Sequence, residues 1–194
     1  MDSVEQLRAS LFRTAQHQDF CEPLKSASLA GDLASWTTIL TRCLVAACRE
    51  IGWRASAKGH ECELLPVRRS EYLALDVTAF PAGEARWLFP VAVMELENSP
   101  REDQIAYSLW KVLCVRADVR AVFCYRREAT RIPALIQFLR REVVEAMSLP
   151  GRLGLGGRTL LVCGSRADAE TFPFGFFKWW ELDSNTGRFE GIQG

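Results

Sequence analysis

The chain has 194 residues, enough for one domain with a real core, and its 24 Lys and Arg balance 24 Asp and Glu, so the whole molecule has no general attraction for polyanions and any nucleic-acid contact must come from a local patch. No apolar run is long enough to span a membrane, and the opening MDSVEQLRAS lacks the basic-then-apolar layout of a signal peptide. Only His17 and His60 are available to a histidine metal site or a histidine-based triad, and the seven cysteines, with no CxxC among them, read as reduced thiols of a cytoplasmic protein.

Val4, Leu7, Leu11 and Ala15 recur at helical spacing and predict an amphipathic helix over 3–16. Cys21–Gly31, with Pro23, two serines and Gly31, reads as a linker, so residues 1–30 form a helical extension. Asp32 or Ser35 caps a second helix to about Ile51, whose stripe is Trp36, Ile39, Leu40, Cys43, Leu44, Ala47 and Ile51. Glu50 falls on the margin of that stripe, either as an acid turned toward a site or as a last-turn glutamate in water. Arg54–His60 ends this helix, and Glu61–Val67 reads as a short edge strand.

Two further strands follow, Tyr72–Thr78 and Trp87–Glu97, joined by a loop at Pro81–Gly83. The second is apolar, as befits a central strand, and then ends on two acids. Alternation puts Glu95 and Glu97 on one face, and pairing of the strands brings Asp76 toward Glu95. Carboxylates gathered at a buried strand end repel one another, and a hard cation such as magnesium would relieve this. The plain alternative is a solvated strand end with Asp76 capping a turn.

A helix over about Arg101–Val115 has Ile105, Leu109, Val112 and Leu113 inward, with Gln104, Tyr107 and Lys111 on the other side, which turns Lys111 to solvent. Ala121–Tyr125 is a buried strand, and Pro133 opens a helix to about Met147. Gly151–Gly157 lacks the order of a phosphate or dinucleotide loop and reads as a connector. Thr159–Cys163 and Phe176–Leu182 are late strands, and the aromatics between Phe172 and Trp180 read as core and edge cover rather than as a base-stacking surface.

The resulting order over residues 32–125 is helix, three strands, helix, strand. In that order, with Asp76 in ALD and Glu95 in MELEN, the chain resembles the PD-(D/E)XK nuclease superfamily. The resemblance covers about half the chain and implies an α/β, restriction-endonuclease-like core: a mixed sheet flanked by helices, with an extra helix and late strands over 126–194 in the same single domain. It implies catalytic roles for Asp76, Glu95, Glu97 and Glu50. It also implies Mg2+ or Mn2+ on Asp76, Glu95 and the Leu96 backbone carbonyl. The sequence departs from the family where Glu97 stands at the position of the lysine that orients or activates the attacking water.

Residues 116–141 hold seven arginines against Asp118 and Glu128, a local excess of five positive charges. This is either a phosphate-facing patch, with Arg126, Arg127 and Arg131 on nucleic acid, or a set of solvated faces. Three functions stay open. The first is a metal-dependent nuclease acting on DNA, with RNA also possible, in restriction, repair or defence. The second is a nuclease-like binding module with vestigial acids inside a larger complex. The third is an interaction domain, with a protein partner or a second copy of itself, that shares only the order of elements.

Overall fold

Apolar segments spaced along the chain collect into one seven-stranded sheet in the computed structural model, which describes residues 2–63 and 65–192. The strands lie side by side in chain order: β1 (Arg54–Ala57), β2 (Val77–Phe80), β3 (Ala92–Glu97), β4 (Val119–Arg126), β5 (Arg158–Ser165), β6 (Lys178–Asp183) and β7 (Arg188–Ile192). The pairs β1–β2 and β2–β3 are antiparallel, β3–β4 and β4–β5 parallel, and β5–β6 and β6–β7 antiparallel. Parallel neighbours need crossovers. Helix α4 (Glu102–Leu113) carries the chain from β3 to β4. Helix α5 (Ile132–Leu139), a π-helical turn (Arg140–Val144) and α6 (Leu149–Leu153) carry it from β4 to β5. Helices α1 (Ser3–Gln16), α2 (Gln18–Ala30) and α3 (Leu33–Glu50) precede the sheet.

Strand alternation divides the core into two layers. On one face Ala79, Met94, Ala121 and Phe123 meet Leu7, Leu11, Trp36, Leu40 and Leu44 of α1 and α3. On the other, Val93, Val122, Leu161 and Cys163 meet Ile105, Leu109, Val112, Leu135 and Leu139 of α4 and α5. The stripes expected of α1 and α3 are therefore the faces that pack. Trp36 lies among Tyr125, Phe172, Phe176 and Phe177, so most of the late aromatic cluster is core, while Phe174 stays exposed against Phe12.

Several boundaries differ from the sequence reading. The segment Cys21–Gly31 belongs to a helix, α2, which buries Leu24, Ala27 and Ser28. Pro23 sits inside it, where the carbonyl it leaves unbonded is that of the exposed Asp19, and Gly31 ends the helix at φ 71°. The first strand is Arg54–Ala57, not Glu61–Val67. Ala55 and Ala57 are fully buried on the α3 side, and Ser56, fully buried on the other, donates to the Arg69 and Ser70 carbonyls, while Glu61 and Glu63 are exposed and pair with Arg68. Leu64 lies outside the described residues. Tyr72–Ala74 is a 3-10 turn and β2 begins only at Val77; the part of the predicted next strand before Ala92 is loop. The glycine-rich connector starts inside the short helix α6, and β7 is an added edge strand.

Arg120 ties two crossovers together. Its side chain is 1% exposed and donates to the carbonyls of Val115 (2.7 Å), Gly156 (2.7 Å) and Leu155 (2.8 Å), joining the end of the α4 connection to the entry of β5. This happens where β4 and β5 begin. The opposite end of the sheet, where β3 and β4 finish, carries the acids. Among the described residues no helix is long and apolar enough to cross a membrane.

Candidate active site

β2 and β3 pair with Val77 opposite Met94 and Thr78 opposite Val93. Asp76 stands in the bend just before β2, near enough to Glu95 for its charge to act there. Val93 packs in the α4–α5 layer, so Glu95, two residues on in β3, points to that side. The expected strand Tyr72–Thr78 does not carry Asp76 there: Tyr72–Ala74 is a 3-10 turn and Leu75 packs with Val93 while Val77 packs in the other layer, so a bend, not strand alternation, brings this acid to Glu95. Asp76 Oδ2 accepts a hydrogen bond from the Leu96 amide at 2.7 Å, which fixes the acid against β3. Leu96, expected to offer its carbonyl to a cation, meets Asp76 through its N–H.

Glu95 is 5% exposed. Its Oε2 accepts from Ser108 Oγ (3.2 Å) and from Lys111 Nζ (3.0 Å), both on α4. The ammonium also lies 2.9 Å from Oε1, yet Oε1 has no directed hydrogen bond, so there the contact is purely ionic. Burial pushes the Glu95 carboxyl above its ordinary range and the Asp76 charge adds to this, while the hydrogen bond from Lys111 opposes both. The ammonium donates besides to Ala74 O at 2.6 Å. Leu73 and Ala74 hold φ of 58° and 54°, the left-handed region that side chains disfavour. That strained turn places the Ala74 carbonyl against Lys111, and strain of this kind gathers at functional sites.

Lys111 does not point to solvent. α4 runs antiparallel to β3, with its N-terminus at the acid end, and helical side chains lean toward their own N-terminus. A four-carbon stem from the last turn therefore reaches back to Glu95. A helical wheel records direction without length or tilt, which is why it turned this lysine outward. The position one turn after Ser108, on the same flank, was the signal available.

The other expected members of the site are elsewhere. Glu97 follows Glu95 on the same face, but its Oε1 accepts from the Ser99 amide at 2.8 Å and so closes the turn after β3. Glu50 is not a fourth acid. α3 enters β1 at Arg54, opposite Phe80, whereas the acids lie beyond Val77 at the other end of the meander. Glu50 instead meets Ser10 Oγ (2.7 Å), Arg13 Nε (2.7 Å) and Thr14 Oγ1 (3.3 Å) of α1. These bonds, the one to Ser10 foremost, lower its pKa despite some burial. Among the described residues no group of three or more His, Cys, Asp or Glu stands together as a metal cage. What assembles is a carboxylate pair with a lysine.

The arginine patch also dissolves on inspection. Arg126 is 7% exposed and donates to the carbonyls of Ser99 and Tyr125, each at 3.1 Å, so it braces the turn after β3 and is closed to a polyanion. Arg120 is the clamp described above. Arg131, Arg140 and Arg141 pair with Glu128, Glu145 and Glu142. Arg116, Arg127 and Arg131 remain at the surface. A groove of about 780 Å³ between α1 and β6, lined by Arg8, Phe12, Phe174 and Trp179, lies on the other face from the acids. Compared with known proteins, the chain matches no family model, no curated protein and no solved structure.

Proposed function

We propose that the protein is a metal-dependent nuclease of the PD-(D/E)XK kind, acting on phosphodiester bonds in the cytoplasm, in which α4 supplies the lysine. Asp76 and Glu95 would hold Mg2+ or Mn2+, and Lys111 would take the role of the family's lysine, whose position Glu97 occupies. The observation that carries this reading is Lys111 Nζ bridging Glu95 and the Ala74 carbonyl, beside an aspartate that bonds the Leu96 amide and whose charge reaches Glu95. The order α3, β1–β2–β3, α4, β4, with an antiparallel meander followed by a parallel strand, supports it further.

The donors are the oxygens a hard cation takes: the Asp76 carboxylate and Glu95 Oε1, which has no directed hydrogen bond and which the Lys111 ammonium, 2.9 Å away, would have to share with the ion. Such an ion neutralises phosphate charge and makes water more nucleophilic. The chain's own residues do the rest. Asp76 is locked by the Leu96 amide and does not need to reorganise. Lys111 favours the ionised form of Glu95 against the effect of burial, and its remaining N–H can orient a water or meet a phosphate oxygen.

A second reading, a binding module with vestigial acids, is favoured by Glu97 in the lysine position and by its engagement with Ser99. Melting with manganese separates the two. The nuclease reading expects stabilisation of roughly 2.7 kcal/mol at a hundred times the dissociation constant. It expects the gain, and cleavage of plasmid or single-stranded circular DNA, to vanish in Asp76→Asn and Glu95→Gln. An unchanged melting curve with no cleavage of DNA or RNA would leave the binding module.

A further inference from the structure

The back of α4 is the most unusual exposed surface beside the site. Its inner face is apolar and buried, so its outer face should be polar. Instead Tyr107 and Trp110 stand 57% and 54% exposed, their rings stacked at 6.0 Å between centroids and 18° between planes. Their i, i+3 spacing makes them neighbours on the helix. Tyr107 is also the ring over which Lys111 Nζ sits, 5.8 Å from its centroid, while the same nitrogen bonds Glu95. The aromatic pair and the acids therefore share one residue.

We infer that Tyr107 and Trp110 form a stacking platform for unpaired bases, so that the strand brought to Asp76, Glu95 and Lys111 is single-stranded nucleic acid. The inference rests on the nuclease reading and names its substrate class. Duplex binding draws on a basic groove, and here the net charge is zero and most arginines of 116–141 are buried or paired. Stacking supplies affinity without much charge and without sequence preference, but a duplex hides the faces of its bases. Glu102 and Asp103 repel phosphates from the first turn of α4, whereas the Lys111 ammonium, which reaches back to Glu95, offers the strand's backbone a positive charge beside the acids.

The test is fluorescence anisotropy at low salt without divalent metal, using labelled 12-mers of oligo-dT and oligo-U and a 12-bp duplex. Either single strand should bind at least tenfold more tightly than the duplex, the two arms telling DNA from RNA. Tyr107→Ala and Trp110→Ala should each weaken single-strand binding roughly tenfold, and Tyr107→Phe should keep it. The manganese-dependent melting shift should be the same in these variants as in the wild type. Equal affinity in wild type and alanine variants, or preference for the duplex, overturns the inference. So does sedimentation showing that the two alanines abolish a dimer and leave binding intact. Loss of the manganese shift in the wild type, with aromatic-dependent binding retained, would sink the nuclease reading and leave the platform standing.

Discussion

Glu50 and Glu95 have nearly the same partners and opposite properties. Each meets a serine hydroxyl and a cation: Ser10 and Arg13 for Glu50, Ser108 and Lys111 for Glu95. Glu50 is exposed at the end of α3, its bonds prevail, and its carboxyl titrates below the usual range. Glu95 is sealed between β3 and α4, desolvation prevails, and its carboxyl titrates above it. Hydrogen bonds of equal kind do not decide protonation; access to water does. The first glutamate staples two helices, and the second is held in the poised state that acid–base and metal chemistry use.

The sharpest way to break this contrast is to remove the cation at Glu95. Lys111→Met should lower any cleavage at least a hundredfold. It should also cost about 3 kcal/mol in urea unfolding, because it strands a buried charge. Adding Glu95→Gln should restore most of the stability and none of the activity. A single Lys111→Met variant as stable and as active as wild type would put Lys111 back at an ordinary surface.

The pH dependence sharpens the contrast by sign. Glu95 holds its proton more tightly when folded, so its ionisation costs stability as pH rises from its ordinary value of 4.5 through the folded value, and the cost is complete above that. Wild type should therefore lose stability relative to Glu95→Gln across this window. Glu50 binds its proton less tightly when folded; its contribution is complete above 4.5 and is lost as pH falls through the folded value. Wild type should gain on Glu50→Gln with rising pH. Chemical melts of the three proteins between acid and neutral pH would show it, and slopes of one sign would refute the contrast. The smallest effect is Glu50→Gln at neutral pH, at most about 1 kcal/mol for an exposed pair and shrinking with added salt.

How far the sequence carried follows the same physics. The stripes of α1, α3 and α4 and the apolar body of β3 and β4 were legible because burial on one side imposes a period. The approach of Asp76 to Glu95 was expected from alternation along a strand Tyr72–Thr78, whereas Asp76 comes to β3 from a bend before β2. β1 was not legible, since Arg-Ala-Ser-Ala has neither bulk nor β-branching and is a strand only because α3 and β2 bury it. α2 was hidden by Pro23 and its serines. Lys111, a conceivable substitute for the family's lysine, was set aside because a wheel does not show reach along a helix, and Glu50 was misplaced because a wheel gives the face of a helix but not which end of the sheet it arrives at.

Arg120 has a consequence for how the molecule opens. One guanidinium holds the tail of one crossover and the head of the next, so residues 115–120 and 155–158 form a single cooperative unit although 35 and 36 positions separate Arg120 from its partners Leu155 and Gly156. In hydrogen exchange these amides should open together, at a free energy close to that of global unfolding.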